Sequence, residues 1–154
     1  MARRIEVSHA IIVEAPIDRC FMYFTPAGEE LWVDGWQPAY VEPPDGRTEA
    51  GMVFTTGAGA ELTIWMLVDF DPVRHRSRYA RCTLGSRTGF VEVQCAARDA
   101  GTTEVRVAYT LTALSADGEA ALAAFEGERY AAMIDGWARE LAARREVLAQ
   151  AVLR

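Results

Sequence analysis

The chain has 154 residues, 51% hydrophobic and 25% charged, a composition that suits one domain able to bury a core without staples. Its 16 basic and 22 acidic residues give a formal charge of −6, which argues against general binding to a nucleic-acid backbone. Lysine is absent, so Schiff-base, phosphate-loop and pyridoxal-phosphate lysines are excluded.

The opening stretch, MARRIEVSHAIIVEAP, lacks the unbroken apolar region of a secretory signal. No run of the chain reaches the roughly 20 apolar residues of a membrane span. Cys20, Cys82 and Cys95 are an odd set without CxxC spacing, so a reducing cytoplasm is expected. Residues 4–14 alternate, with Ile5, Val7, His9, Ile11 and Val13 on one face, and read as a half-buried strand. Pro16, Asp18 and Pro26 then bracket a short helix over 16–24, and PAGEELW adds another turn before Gly35.

In ELWVDGWQPAYVEP, residues 30–43, Trp32, Trp36 and Tyr40 recur every four residues, but Gly35 and Pro38 break the helical register. The three rings either fill a core or wall a cavity. PPDG at 43–46 marks a turn, and strand-like runs follow at 51–56, 61–70, 74–84, 88–99 and 102–114. The breaks between them suit hairpins, which predicts an antiparallel meander. A loop over Gly57–Ala60 pairs Thr56 with Glu61 and puts Phe54, Thr63 and Trp65 on one face. The other face carries Leu62, Ile64, Met66 and Val68, equally apolar, so alternation leaves the facing of this hairpin open.

From Ser115 the chain is rich in alanine, glutamate, arginine and leucine. Leu122, Phe125, Tyr130, Met133, Trp137, Leu141 and Leu148 form a stripe at helical spacing. One helix of over thirty residues, about 50 Å long, is expected there. Gly127 and Gly136 lie inside it, at a cost of about 1 kcal/mol each. Such a helix needs the concave face of the meander, and residues 1–154 read as a single domain.

This order resembles the helix-grip fold of the START-related, polyketide cyclase/dehydrase-like superfamily (SRPBCC), which includes birch-pollen-allergen-like proteins. The likeness rests on VEAPIDRCFMYFTP at the first strand and helix, GMVF at an inner strand, VDFDPVRHRSRY at a strand crossing, and the Gly136–Trp137 pair. Val73 and His75 depart from the proline and apolar residue often found at that crossing. The resemblance implies an α+β fold: a curved antiparallel sheet of six or seven strands around a long C-terminal helix, with two short helices after the first strand. It also implies a deep cavity between sheet and helix. Members bind lipids, sterols, polyketides or plant metabolites, some cyclise polyketides, and others serve as co-chaperone domains.

His9 shares the apolar face of the first strand, where it is a general base, a ligand partner or a core histidine bonded to a neighbour. By likeness to the family, His75, Ser77, Tyr79 and Arg81 face the cavity, leaving Arg74, Arg76 and Arg78 as a solvated edge. Arg81 then meets a carboxylate or phenolate on a ligand, or is a strand-end ion pair. Tyr109 offers a second cavity hydroxyl. On the helix wheel, Glu126 and Arg129 lie near the Met133 and Trp137 direction, at the cavity mouth.

The expected function is binding of a small hydrophobic or aromatic ligand, lipid-like or polyketide-like, in a cavity of roughly 300–1,000 Å³. Trp32, Trp36, Tyr40, Phe54, Trp65, Tyr79, Tyr109, Phe125 and Met133 are its expected wall. His9, Arg81, Glu126 and Arg129 are its expected polar contacts. Two alternatives remain: a cyclase or dehydratase using His9, Tyr79, Arg81 or Glu126, and a co-chaperone-like interaction domain with a filled interior. No cofactor or metal is expected, because His9, His75 and the cysteines show no ligand spacing and GAGAE precedes no helix. A homodimer is left open.

Overall fold

In the structure, a computed structural model describing residues 2–154, the alternating start of the chain forms strand β1 (Arg4–Val13). Helix α1 (Ile17–Tyr23) follows Pro16. Helix α2 (Pro26–Glu29) is capped by Thr25, whose hydroxyl accepts from the Gly28 N–H at 3.0 Å. Strands β2 (Ala39–Glu42), β3 (Val53–Thr56), β4 (Thr63–Asp71), β5 (Arg76–Thr83), β6 (Arg87–Ala97) and β7 (Thr103–Ala113) complete one antiparallel sheet. Its order is β1-β7-β6-β5-β4-β3-β2, so the first strand lies beside the last. The sequence did not announce β2, because four residues between Pro38 and Pro43 are too few to show a period.

The β3–β4 hairpin corrects the expected register. Thr56 pairs with Thr63, not with Glu61, and the connection takes in residues 57–62 with a 3-10 turn at Gly59–Glu61. The displacement is two residues, so no side chain changes face. Phe54 and Trp65 are cross-strand partners and both are buried. Leu62, Ile64, Met66 and Val68 stay on the outer face, 42–52% exposed. On the same surface Arg74 meets Asp71 at 3.0 Å and Arg78 meets Glu92 at 3.1 Å.

The single long C-terminal helix is also corrected. The segment forms helix α3 (Ala116–Leu122), a 3-10 turn at Ala123–Phe125, helix α4 (Glu128–Ala143) and helix α5 (Arg145–Gln150). The first break is a backbone event. Glu126 is extended, and Gly127 takes φ +59°, a region that side-chain-bearing residues avoid. The remaining 16-residue α4 is about 24 Å long. It buries Tyr130, Ile134 and Leu141, and the Tyr130 hydroxyl donates to the Val107 carbonyl at 2.7 Å, tying helix to sheet.

Candidate ligand-binding cavity

Pro26, Glu29, Val33 and Trp36 recur at spacings of three and four, and all line one cavity. The spacing works because helical turns continue past α2: the Val33 N–H donates to the Glu29 carbonyl at 2.8 Å and the Trp36 N–H to the Val33 carbonyl at 3.3 Å. Opposite them the sheet contributes Phe54, Trp65 and Tyr79 from β3, β4 and β5, then Val91 and Val93 from β6 and Val107 and Tyr109 from β7. Phe24 and Trp137 complete the wall. The enclosed volume is about 80 Å³, smaller than expected, because the aromatic side chains themselves fill most of the space under the sheet.

The rings are ordered against one another. Phe54 and Trp65 stack with centroids 5.7 Å apart and planes 4° from parallel. Trp36 stands near a right angle to both, and so does Tyr79. Hydrogen bonds fix these positions. The Trp36 ring N–H donates to the Pro26 carbonyl at 2.9 Å, that of Trp65 to the Thr56 hydroxyl at 2.9 Å, and the Tyr79 hydroxyl to the Phe24 carbonyl at 3.2 Å.

One carboxyl side chain lines this wall, that of Glu29. Among the described residues no donor or cation engages its carboxyl, and loss of water alone pushes it well above the usual carboxylate range. Burial likewise raises the Tyr109 hydroxyl to about 12. It also raises the Tyr79 hydroxyl, with the charge of Glu29 adding to the effect. Glu29 was not singled out from the sequence. Its signal was the three-and-four spacing from Pro26 to Trp36, obscured by Gly35 and by the neighbouring Glu30.

The other expected site residues divide. Trp36, Phe54, Trp65, Tyr79 and Tyr109 meet at the cavity. Trp32 does not: it is fully buried, donates to the Tyr23 carbonyl at 2.8 Å and packs on Phe24 and Trp137. Tyr40 lies behind Phe54, and its hydroxyl donates to Glu30 at 2.7 Å. His9 is on the inner face of β1, but its Nε2 is 2.7 Å from Asp135 of α4, away from the cavity. Arg81 is buried behind Trp65, with its guanidinium carbon 4.7 Å from the ring centroid. Its Nε has no partner, and loss of water lowers its pKa from the ordinary arginine value.

Phe125 packs on Tyr109 at 5.5 Å, while Met133 lies against the core outside the cavity. Glu126 is ion-paired with Arg3, and Arg129 donates to the Ala123 carbonyl at 3.0 Å. His9, Tyr79, Arg81 and Glu126 therefore do not converge on one point.

A wider hollow of about 420 Å³ lies near the C-terminal end of α4, between β1 and α5. Its charged groups are already engaged: Arg145 meets Glu14 at 2.6 Å, and Arg19 donates to the Leu148 and Ala151 carbonyls. Of the two, the aromatic cavity alone presents a carboxyl with no partner among the described residues, so it is the candidate site.

No protein-family model matches the sequence, and no curated protein sequence matches it. Solved structures do match in shape. Norcoclaurine synthase from Thalictrum flavum, in complex with dopamine and hydroxybenzaldehyde, superposes with a TM-score of 0.66 at 11% identity, over 98% of this chain and 90% of that one. The ZhuI aromatase/cyclase from Streptomyces sp. R1128 gives 0.55 at 17% identity, over 96% and 87%. Ara h 8.0201 gives 0.58 at 13% identity, over 79% and 89%. This is the helix-grip fold. The resemblance read from the sequence therefore holds at the level of the fold, with a helix-grip sheet of seven strands and a segmented C-terminal helix. No helix of the described residues is long and apolar enough to cross a membrane.

Proposed function

We propose that this protein binds a small aromatic or apolar molecule in the helix-grip cavity. The observation that carries the reading is a cavity lined by seven aromatic rings and the side chain of Glu29. A void of about 80 Å³ holds only two or three waters, so a ring-sized ligand must displace part of the wall. Trp36 is the part best suited to move, because it sits outside regular structure and is only part-buried. Two proteins of the same fold support the reading: one was solved with two aromatic molecules and one is an aromatase/cyclase. A lipid or polyketide chain would need a larger displacement. The reading includes a cytoplasmic setting, on the three cysteines without CxxC spacing.

Two other readings have an observation each. Glu29 favours a cyclase or dehydratase, since loss of water disfavours its charged form and a carboxyl with a raised pKa is a better proton donor to a bound substrate. The exposed stripe of Leu62, Ile64, Met66 and Val68 is what an interaction domain would present. Titration of the purified protein with benzyl alcohol, followed by tryptophan fluorescence, tests the binding reading, since Trp36, Trp65 and Trp137 all border the cavity. Saturable quenching is expected, and Val91→Phe, which fills the space, should abolish it. A Val91→Phe protein that folds and binds as well as the parent would place the ligand elsewhere.

A further inference from the structure

Resting on that reading, we infer that the ligand is a small organic ammonium cation, held by the Glu29 carboxylate within the aromatic wall. The argument begins with charge. Glu29 is the only ionisable acid or base on the wall other than the two phenols Tyr79 and Tyr109. No arginine or histidine is turned into the space to neutralise it. Arg81 is nearby in the sheet, but it lies against Trp65 and is absent from the cavity wall.

Glu29 is part-buried on this wall, and a carboxylate held against apolar rings without a partner costs free energy. Replacing it with an apolar residue would remove that cost, whereas a cationic ligand offsets it on binding. The hydrogen-bond chemistry agrees. A carboxylate only accepts, and the Tyr79 hydroxyl is already donating to the Phe24 carbonyl. An ammonium group donates and carries the complementary charge, and charge-assisted bonds are roughly twice as strong as neutral ones.

The rings add a second contribution. Aromatic side chains attract cations through their electron-rich faces, and more strongly in a desolvated setting. This cluster already holds one cation in that manner, the Arg81 guanidinium over Trp65. The groups whose ionisation responds to Glu29 are Tyr40 on β2, Tyr79 on β5 and Tyr109 on β7, all pushed upward and so neutral at pH 7. None competes with the ligand for the carboxylate.

Occupancy by a cation favours the ionised carboxylate. Binding should therefore draw off the proton from Glu29 wherever the free protein still holds it, and affinity should rise as the pH is raised.

The test compares benzylamine, protonated at pH 7, with benzyl alcohol, its uncharged counterpart of similar shape, by calorimetry in buffers of different ionisation enthalpy. The ammonium should bind at least tenfold more tightly, with a buffer-dependent heat that reports proton release. In Glu29→Gln, which removes the ionisable carboxyl and should fold, that ratio should fall to near one and the proton release should vanish. Near-ultraviolet circular dichroism and thermal unfolding confirm that the variant is folded.

Equal affinity for the two compounds in the parent protein would overturn the inference and leave cavity binding standing. A preference for benzylamine that survives Glu29→Gln would also overturn it, assigning the cation to the acidic surface. Binding of neither compound would overturn both this inference and the reading beneath it.

Discussion

Glu29 faces a cavity in which a charged carboxylate is costly, and that cost has a thermodynamic signature. Its folded-state pKa lies above the ordinary value because burial disfavours the charged form. Between the unfolded carboxyl value and the folded one, the native chain keeps a proton that the unfolded chain has lost. The stability is fully present below the unfolded value and declines as pH rises toward the folded value, by up to about 1.4 kcal/mol per pH unit. Glu29→Gln has no such proton to lose. The variant should match the parent near pH 4 and be more stable than it at pH 7, as thermal unfolding across that range would show. At the same scale, Trp32 and Trp36 separate into two roles. Trp32→Ala should cost about 3–5 kcal/mol in a denaturant titration, as expected for a fully buried ring with a satisfied N–H.

At the scale of elements, the cavity depends on how the sheet bends and where the C-terminal helix breaks. Gly89 of β6 lies opposite Leu111 of β7, and an added Cβ would stand 1.8 Å from the Thr110 carbonyl oxygen. No β carbon tolerates that approach, so Gly89→Ala must force β6 and β7 apart beside Arg81. A loss of about 1–3 kcal/mol is expected, together with a changed near-ultraviolet spectrum from the rings of the neighbouring strands. The helix break follows the same logic of backbone geometry. Gly127 was visible in the sequence as a weak point in a long helical pattern, but composition alone treats it as a cost of about 1 kcal/mol. Its φ of +59° turns that cost into a break in the helix and starts α4 afresh at Glu128.

For the whole molecule, the void is a balance between sheet, short helices and α4, and Trp36 is where that balance gives way most readily. Trp36→Ala should enlarge the cavity and admit a larger probe such as naphthalene. The stability loss should be smaller than at Trp32, because Trp36 is only part-buried. Fluorescence of the remaining tryptophans would read the binding, and failure to bind naphthalene in a folded variant would count against Trp36 as a cavity wall.

Much of this architecture was legible from local pattern. Alternation in 4–14 and in 102–114 marked those strands and their inward residues, since a period of two leaves only two faces to choose between. Turn residues pointed to the hairpins, and the stripe ending at Leu148 marked a helical C-terminal segment, read there as one continuous helix. The chain by itself thus determined the hairpins between successive strands, while the pairing of β1 with β7 and the edge strand β2 came only with the fold. It could not choose between two apolar faces in the β3–β4 hairpin, because both Trp65 and its neighbours Ile64 and Met66 satisfy the same pattern. That choice belongs to the tertiary structure, where only the face toward α4 removes rings from water. The same holds for Glu29. A carboxyl four residues before Val33 reads as a solvated helix end until the sheet sets it on the cavity wall beside aromatic rings.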